Sequence, residues 1–264
     1  MPRLDNELVT RGLSESRTRA QRDIHAGLIR VNGTVQTKPS FSVISSDTIL
    51  CETTVCPFVS IAALKLLHVL ESVSLSCEGA LCLDIGSSTG GFTQILLKKG
   101  AAHVTAVDVG HMQMHSSLRD NPAILLYEDT DVRTFLNHTN VLYDIITVDV
   151  SFISITSIIP IVAGRAKNYV FLIKPQFETP PDAKNKRGVV TDPETHIDVL
   201  NRCCEVVQNS GLFIVLLSAS RIIGGSGNKE YFIVAGHKNT GYNVAEILSK
   251  EVRRNEDFFV YKPE

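Results

Sequence analysis

After Leu81 the chain alternates short apolar runs with stretches of helical periodicity almost to its end, and no other feature limits the fold as tightly. Residues 81–85, 104–108, 124–127, 143–148, 170–173, 212–217 and 231–234 are strand candidates. Most of these runs are too apolar to leave one face in water, so the sheet they form has to be covered on both sides. Helical stretches such as residues 91–99, 155–163 and 193–208 fall between them and supply that cover. The alternation predicts an α/β domain around a largely parallel sheet, with ligands bound beyond the carboxyl ends of its strands.

The N-terminal segment follows a different pattern. Leu4, Leu8 and Val9 recur at helical spacing and stop at Gly12. Ser14 or Ser16 caps a second helix, on which Ala20, Ile24 and Leu28 share a face broken by Gly27. Val31-Asn32-Gly33-Thr34-Val35 signals a hairpin, because Asn-Gly adopts the positive φ values of a two-residue turn. Strand-like residues 42–44 and 48–50 follow. Strand-like Thr53-Thr54-Val55 then gives way, at a joint marked by Pro57, to helical residues 61–67. The chain therefore divides into a small α+β domain over residues 1–56 and an α/β domain over residues 57–264.

A net charge of −2 argues against a protein that coats nucleic acid indiscriminately. The distribution is uneven, however. Residues 1–40 hold seven basic side chains (Arg3, Arg11, Arg17, Arg19, Arg22, Arg30, Lys38) against four acidic ones (Asp5, Glu7, Glu15, Asp23). A patch of that kind can bind RNA with strong salt dependence. Arg3-Leu4-Asp5, Arg11-Gly12-Leu13, Ser16-Arg17, Val31-Asn32-Gly33 and Lys38-Pro39-Ser40 together resemble the RNA-binding module named after ribosomal protein S-four. The resemblance implies that the basic helix and hairpin meet structured RNA.

Residues 81–92 (LCLDIGSSTGGF) run from a buried strand through a glycine-rich turn into a helix. Glycines let the backbone approach a ligand closely at that point. Asp108 ends the second strand, where a carboxylate can accept hydrogen bonds from ribose hydroxyls. NAD and S-adenosylmethionine share that requirement, although the Gly86-Ser87-Ser88-Thr89-Gly90 spacing resembles the methyltransferase loop more than the dehydrogenase one. Asp129 and Asp131 read equally as adenine contacts or as helix N-caps before Val132.

Four ionisable residues stand out by position. Lys65 lies on the helix entering the domain, Asp149 and Lys174 follow apolar strands, and Glu230 opens the last one. As a set they resemble the Lys-Asp-Lys-Glu tetrad of FtsJ-like ribose 2′-O-methyltransferases. Asp149-Val150-Ser151-Phe152, Lys174-Pro175-Gln176-Phe177-Glu178, Gly188-Val189-Val190 and Gly227-Asn228-Lys229-Glu230 extend the likeness to the TlyA family, whose members methylate ribosomal RNA and once carried a hemolysin label.

The resemblance implies a Rossmann-like S-adenosylmethionine-dependent methyltransferase fold behind the small N-terminal RNA-binding domain, with RNA, and specifically ribosomal RNA or a ribosomal subunit, as partner. It assigns S-adenosyl-L-methionine to Asp84, Gly86, Ser88, Thr89, Gly90, Gly91, Phe92, Asp108, Val109, Asp129, Asp131 and Asp149. Lys174 is then the general base, Asp149 and Lys65 orient it and the incoming hydroxyl, and Glu230 holds the lysines in place. Three positions depart from the family pattern: Ser60-Ile61-Ala62 replaces Ser-Arg-Gly, Asp131 replaces Asn, and Arg221 replaces Pro.

The start lacks an apolar run behind its positive charge, and the longest uncharged stretch, residues 150–164, is too short and too polar to cross a bilayer. The six cysteines form no Cys-x-x-Cys pair and read as thiols in a reducing compartment. The expectation is a cytoplasmic protein that engages neither membrane nor metal, its oligomeric state open. The competing reading is an RNA-binding scaffold or ribosome-assembly factor with a vestigial cofactor site. A membrane-lysing role and a dehydrogenase role find no supporting motif.

Overall fold

The computed structural model describes residues 2–14, 16–25, 27–51, 58–224 and 227–253. The strand-like Thr53-Thr54-Val55 and the joint at Pro57 lie outside them. Two compact units emerge, one within Met1–Pro57 and one within Phe58–Phe258.

The first unit packs helices α1 (Leu4–Thr10) and α2 (Arg17–His25) with strands β1 (Ile29–Val31), β2 (Thr34–Gln36) and β3 (Ile49–Cys51). The strands form an antiparallel sheet in the order β2-β1-β3. Asn32 and Gly33 take φ values of 51° and 80°, as the Asn-Gly hairpin requires. Of the two candidate caps it is Ser16 whose hydroxyl accepts from the α2 backbone, at Arg19 N. Leu4, Leu8, Ala20, Ile24, Ile29, Val31, Val43 and Ile49 bury their side chains in one cluster. Two expectations change. Helix α2 ends at His25, and Gly27 turns the chain at φ +74°, so Leu28 lies past the helix and is half-buried. Residues 42–44 contribute a single bridge, Ser42 to Arg3, rather than a strand.

The second unit begins with α3 (Ile61–Ser72) and continues through β4 (Leu81–Ile85), α4 (Gly91–Lys98), β5 (His103–Val107), α5 (Ser116–Arg119), β6 (Ile124–Tyr127) and α6 (Val132–Asn137). Then come β7 (Tyr143–Val148), α7 (Ile159–Val162), β8 (Ala166–Ile173), α8 (Pro175–Glu178), α9 (Pro193–Asn209), β9 (Phe213–Ala219), β10 (Tyr231–Gly236) and α10 (Val244–Arg253). The sheet order is β6-β5-β4-β7-β8-β10-β9. Pairing is parallel from β6 to β8, and β10 runs antiparallel to both of its neighbours. Central strands are buried on both faces, with Leu83, Ile146, Tyr169, Phe171 and Ile233 all at 0% exposure.

The helix expected over residues 155–163 is instead a 3-10 turn (Ile155–Ser157) followed by the single turn of α7. Pro160 has no N–H and its ring crowds the preceding turn, so it is tolerated only where a helix starts anew. Strand β8 starts four residues earlier than its apolar run, because Ala166 and Asn168 continue the ladder through a polar stretch. Helix α10 was not anticipated. Val244, Leu248 and Val252 recur every four residues and pack on the core, a stripe that was legible in the sequence.

Candidate active site

Strand order reverses beside β4: the chain moves outward through β5 and β6, then returns to β7 on the other side. A crevice opens at the carboxyl ends of strands at such a switch point. Here it is a cleft of about 300 Å³, lined by Gly86, Ser88, Asp108, Val109, Asp131 and Asp149 together with Gln113, Thr130, Val150, Ser151, Phe152 and Ile153. The volume lies at the lower end of the range for small-molecule sites.

Gly86 makes the crevice possible. Its φ is +80°, and a Cβ there would meet the Asp149 carbonyl oxygen at 2.5 Å, so only glycine lets the β4 and β7 turns close on each other. The Asp108 carboxylate accepts Ser88 N at 2.8 Å and Gly110 N at 2.6 Å, which fixes the turns after β4 and β5 together. A carboxylate offers about four acceptor positions, so Asp108 keeps capacity for a ligand's hydroxyls. Glu128 pins the same loop through Gln113 N, Met114 N and Arg119.

Not every residue assigned to the cofactor reaches this cleft. Asp84 is wholly buried beneath it, where its carboxylate accepts Thr93 Oγ1 at 2.6 Å and Thr147 Oγ1 at 2.9 Å. Burial pushes its pKa up to about 6 against the pull of those hydroxyls. Phe92 packs in the core against Phe232, and Gly90 and Gly91 seat α4 tightly against Met114 and Ser60. Thr89 is exposed in the turn, and its carbonyl accepts His115 N. Asp129, at φ +53°, pairs with His111 at 2.7 Å in an exposed position. Asp131 caps α6 by accepting Arg133 N and also pairs with the Arg133 guanidinium, which holds its pKa down at about 2. It caps the helix and lines the cleft at once.

The four ionisable residues form two ion pairs. Lys174 Nζ lies 2.6 Å from Asp149 Oδ1 and donates to Ser151 Oγ at 2.9 Å. Lys65 Nζ donates to Glu230 Oε2 at 2.6 Å, both side chains being buried. Sheet register brings the pairs together: Ile173 pairs with Tyr231, so the next residue of one strand, Lys174, and the preceding residue of the other, Glu230, share one edge. Val148 pairs with Phe171 on the other side of β8, which puts Asp149 at the same edge.

Local devices hold each member. Glu178 accepts Ser154 Oγ and Ile155 N, fastening the loop after Asp149 to α8. Gly224 leaves room for Glu230, whose Oε1 would lie 2.3 Å from a Cβ there. Sequence reasoning passed over Phe152 as a site residue. It is 92% exposed at the cleft's rim, holds φ at +65°, and lies 5.1 Å from Phe177 between ring centroids. A non-glycine residue kept in the left-handed region is strained, and such strain clusters at functional sites.

In the first unit, Arg3 and Arg17 both pair with buried Asp5, and Arg19 pairs with Asp23, which also lies 3.9 Å from Arg22. Arg30 donates to the Gly33 carbonyl, and Lys38 is exposed. Arg11 turns inward and donates to Glu7 and to the Asp47 and Ile44 carbonyls, so its guanidinium ties the unit together.

A family model described as FtsJ-like methyltransferase matches residues 58–237, and one described as the S4 domain matches residues 2–49. Fold and site thus define an FtsJ-like methyltransferase preceded by an S4 domain. Over 237 residues the chain is 39% identical to the 16S/23S rRNA (cytidine-2'-O)-methyltransferase TlyA of Mycobacterium tuberculosis, covering 88% of each chain. It is 42% identical over 181 residues to the 23S rRNA (cytidine-2'-O)-methyltransferase TlyA of Campylobacter jejuni, covering 66% of this chain and 69% of that one. A solved structure described as a candidate hemolysin from Streptococcus thermophilus aligns with a TM-score of 0.74 at 32% identity, over 95% of this chain and 94% of that one. The chain belongs to the TlyA family of FtsJ-like methyltransferases. Among its described residues no helix is long and apolar enough to cross a membrane.

Proposed function

We propose that this chain methylates a ribose 2′-hydroxyl of ribosomal RNA with S-adenosyl-L-methionine as donor. Residues 1–56 act as an RNA-binding domain and residues 57–264 as the methyltransferase. The observation that carries the reading is the pair of lysine–carboxylate contacts, Lys174–Asp149 and Lys65–Glu230, at one sheet edge beside the cleft. The rRNA (cytidine-2'-O)-methyltransferase activity of the relatives from Mycobacterium tuberculosis and Campylobacter jejuni agrees with it.

The cleft fits the donor: Gly86 gives a side-chain-free approach, Asp108 offers acceptors at the tip of β5, and Asp131, Val150 and Phe152 supply further walls. Bound there, S-adenosylmethionine supplies a sulfonium methyl that an oxygen nucleophile can take. The chain's residues do the rest. Lys174, in its neutral form, accepts the ribose hydroxyl's proton as that oxygen attacks, and Asp149 stabilises the resulting ammonium. Ser151 fixes the direction of the Lys174 amine. The Lys65–Glu230 pair, on the neighbouring strand end, orients the hydroxyl. Alignment of this kind contributes roughly 7–11 kcal/mol for well-placed reactants. Arg22, Arg30 and Lys38 offer positive charge to RNA from the first unit, while Arg3, Arg17 and Arg19 share theirs with Asp5 and Asp23 and offer RNA hydrogen-bond donors more than net charge.

The test is methyl transfer from labelled S-adenosylmethionine to rRNA and to ribosomal subunits from cells lacking this chain, followed by mapping of ribose methylation. One or a few defined 2′-O-methyl positions are expected. Label on bases alone, or none on either substrate, would overturn the reading.

A further inference from the structure

The loop after α8 reads Lys184-Asn185-Lys186-Arg187-Gly188, with three cations in four residues, and the tetrad leaves it without a role. An exposed run of like charge is ordinarily a loose, solvated segment. This one is rigidly built. The Asn185 side-chain oxygen accepts Arg187 N at 2.8 Å and Val189 N at 3.1 Å, while its backbone N–H donates to the Val189 carbonyl and its carbonyl accepts Gly188 N. The loop's far end is bolted to the catalytic turn. Asn228, wholly buried, accepts Val190 N at 2.9 Å and donates to the Gly188 carbonyl at 3.1 Å. The Asn228 carbonyl accepts Gly224 N, and Gly224 abuts the carboxylate of Glu230.

None of the three cations makes an ion pair among the described residues, although Asp182 lies close by in sequence. Elsewhere this chain neutralises its arginines internally, as with Arg3, Arg17 and Arg19. Holding three positive charges together in an ordered turn, with no internal counter-charge, suits an anionic partner supplied from outside. If the chain methylates RNA, the polyanion closest to hand is the backbone of the strand whose ribose must reach Lys174.

We infer that Lys184, Lys186 and Arg187 form a phosphate clamp that grips the substrate RNA beside its target ribose, a second RNA contact built into the methyltransferase unit itself. The inference rests on the RNA methyltransferase reading above. The clamp fixes where the strand passes the tetrad, and the Asn228 link transmits that position to the Glu230 turn. Its recognition is of phosphate and is therefore independent of base sequence.

The test compares the full-length chain with the triple variant Lys184→Ala/Lys186→Ala/Arg187→Ala, using ribosomal subunits from cells lacking this chain, across roughly 50–200 mM salt. KM for the subunit is expected to rise roughly tenfold, and the slope of log KM against log salt to fall by about 2, since each lost phosphate contact removes somewhat under one unit. The kcat at saturating subunit and the calorimetric affinity for S-adenosylmethionine stay at the unmodified chain's values. The charge-preserving variant Lys184→Arg/Lys186→Arg/Arg187→Lys keeps both KM and slope. An unchanged KM and salt slope in the alanine variant would overturn the clamp. So would a fall in kcat with a lowered melting temperature and unaltered slope, which marks a structural loop. If the unmodified chain methylates no RNA at all, the functional reading fails first, and the two failures are told apart by that control.

Discussion

Asp5 and Asp84 are both shut away from water, one in each unit, and they are held in opposite ways. Asp5 accepts two hydrogen bonds from Arg3 at 2.9 and 3.0 Å, one from Arg17 at 3.0 Å and one from Gln21 at 2.7 Å. The Arg3 contact above all pulls its pKa far below the usual carboxylate range. Among the described residues Asp84 has no cation beside it, only neutral donors such as the hydroxyls of Thr93 and Thr147, and burial dominates, raising its pKa to about 6. The first unit has a small apolar cluster and is knitted by charge. The second has a core large enough to carry an acid at a cost in stability, and two of its ion pairs, Lys174–Asp149 and Lys65–Glu230, stand at the sheet edge where the chemistry is placed.

The contrast predicts where charge serves reaction and where it serves folding. Lys174→Ala is expected to lower kcat by about 10³-fold, within the usual range for loss of a general base, while calorimetry still detects S-adenosylmethionine binding. Retained turnover would take the Lys174–Asp149 pair out of the chemistry.

Acid should act oppositely on the two units. Below about pH 4 Asp84 is protonated whether folded or not, and between about pH 4 and 6 only the folded chain keeps its proton. Its contribution to stability therefore falls as pH rises through that window, by roughly 3 kcal/mol, and is level above it. Asp5 contributes stability that is present above the unfolded carboxylate value and is lost as pH falls towards its depressed folded value. Hydrogen exchange followed by mass spectrometry from about pH 2 to 7 reads the units separately: protection around Asp5 falls only below about pH 4, and protection around Asp84 falls as pH rises from about 4 to 6. Slopes of the same sign in peptides around Asp5 and Asp84 would erase the distinction.

Asp5→Asn sharpens it further. Replacing the charged acceptor leaves Arg3 and Arg17 without their counter-ion, and the first unit should lose about 2 kcal/mol in urea denaturation, the scale of hydrogen bonds to a charged group. The smallest effect belongs to Asp131, where capping and ion pairing coincide. Asn caps a helix as well as Asp does, so Asp131→Asn should cost under about 0.5 kcal/mol, and Asp131→Ala about 1 kcal/mol by thermal melting.

Much of this architecture is visible in local pattern. Apolar runs give the strands, the Asn32-Gly33 turn gives the hairpin, and Asp149, Lys174 and Glu230 stand out at strand ends, with Lys65 on the helix that enters the domain. Misses have physical causes. Pro160 split an apolar stretch whose periodicity looked continuous, and Lys167-Asn168 hid the polar start of β8. Phe92 and Asp84 sit in the motif of the glycine turn but point into the core, because alternation along a strand and helix sends some motif residues away from any ligand. Phe152 lies in the motif that follows Asp149, but its left-handed φ and its exposure, which mark it out, are not encoded in its residue type.

The sequence by itself determined which segments become strands and helices, where glycine must turn the chain, and which charged residues end up near strand termini, since each of these depends on neighbours within a few positions. Only the tertiary structure decided which amine meets which acid. Lys65 and Glu230 are 165 residues apart, and they pair because β10 inserts antiparallel between β8 and β9 and carries Glu230 to the edge where Lys174 emerges. Tertiary packing likewise turned Arg11 inward and left Lys184, Lys186 and Arg187 without an internal counter-charge among the described residues, because charge balance is settled by whatever the fold brings within a few ångströms.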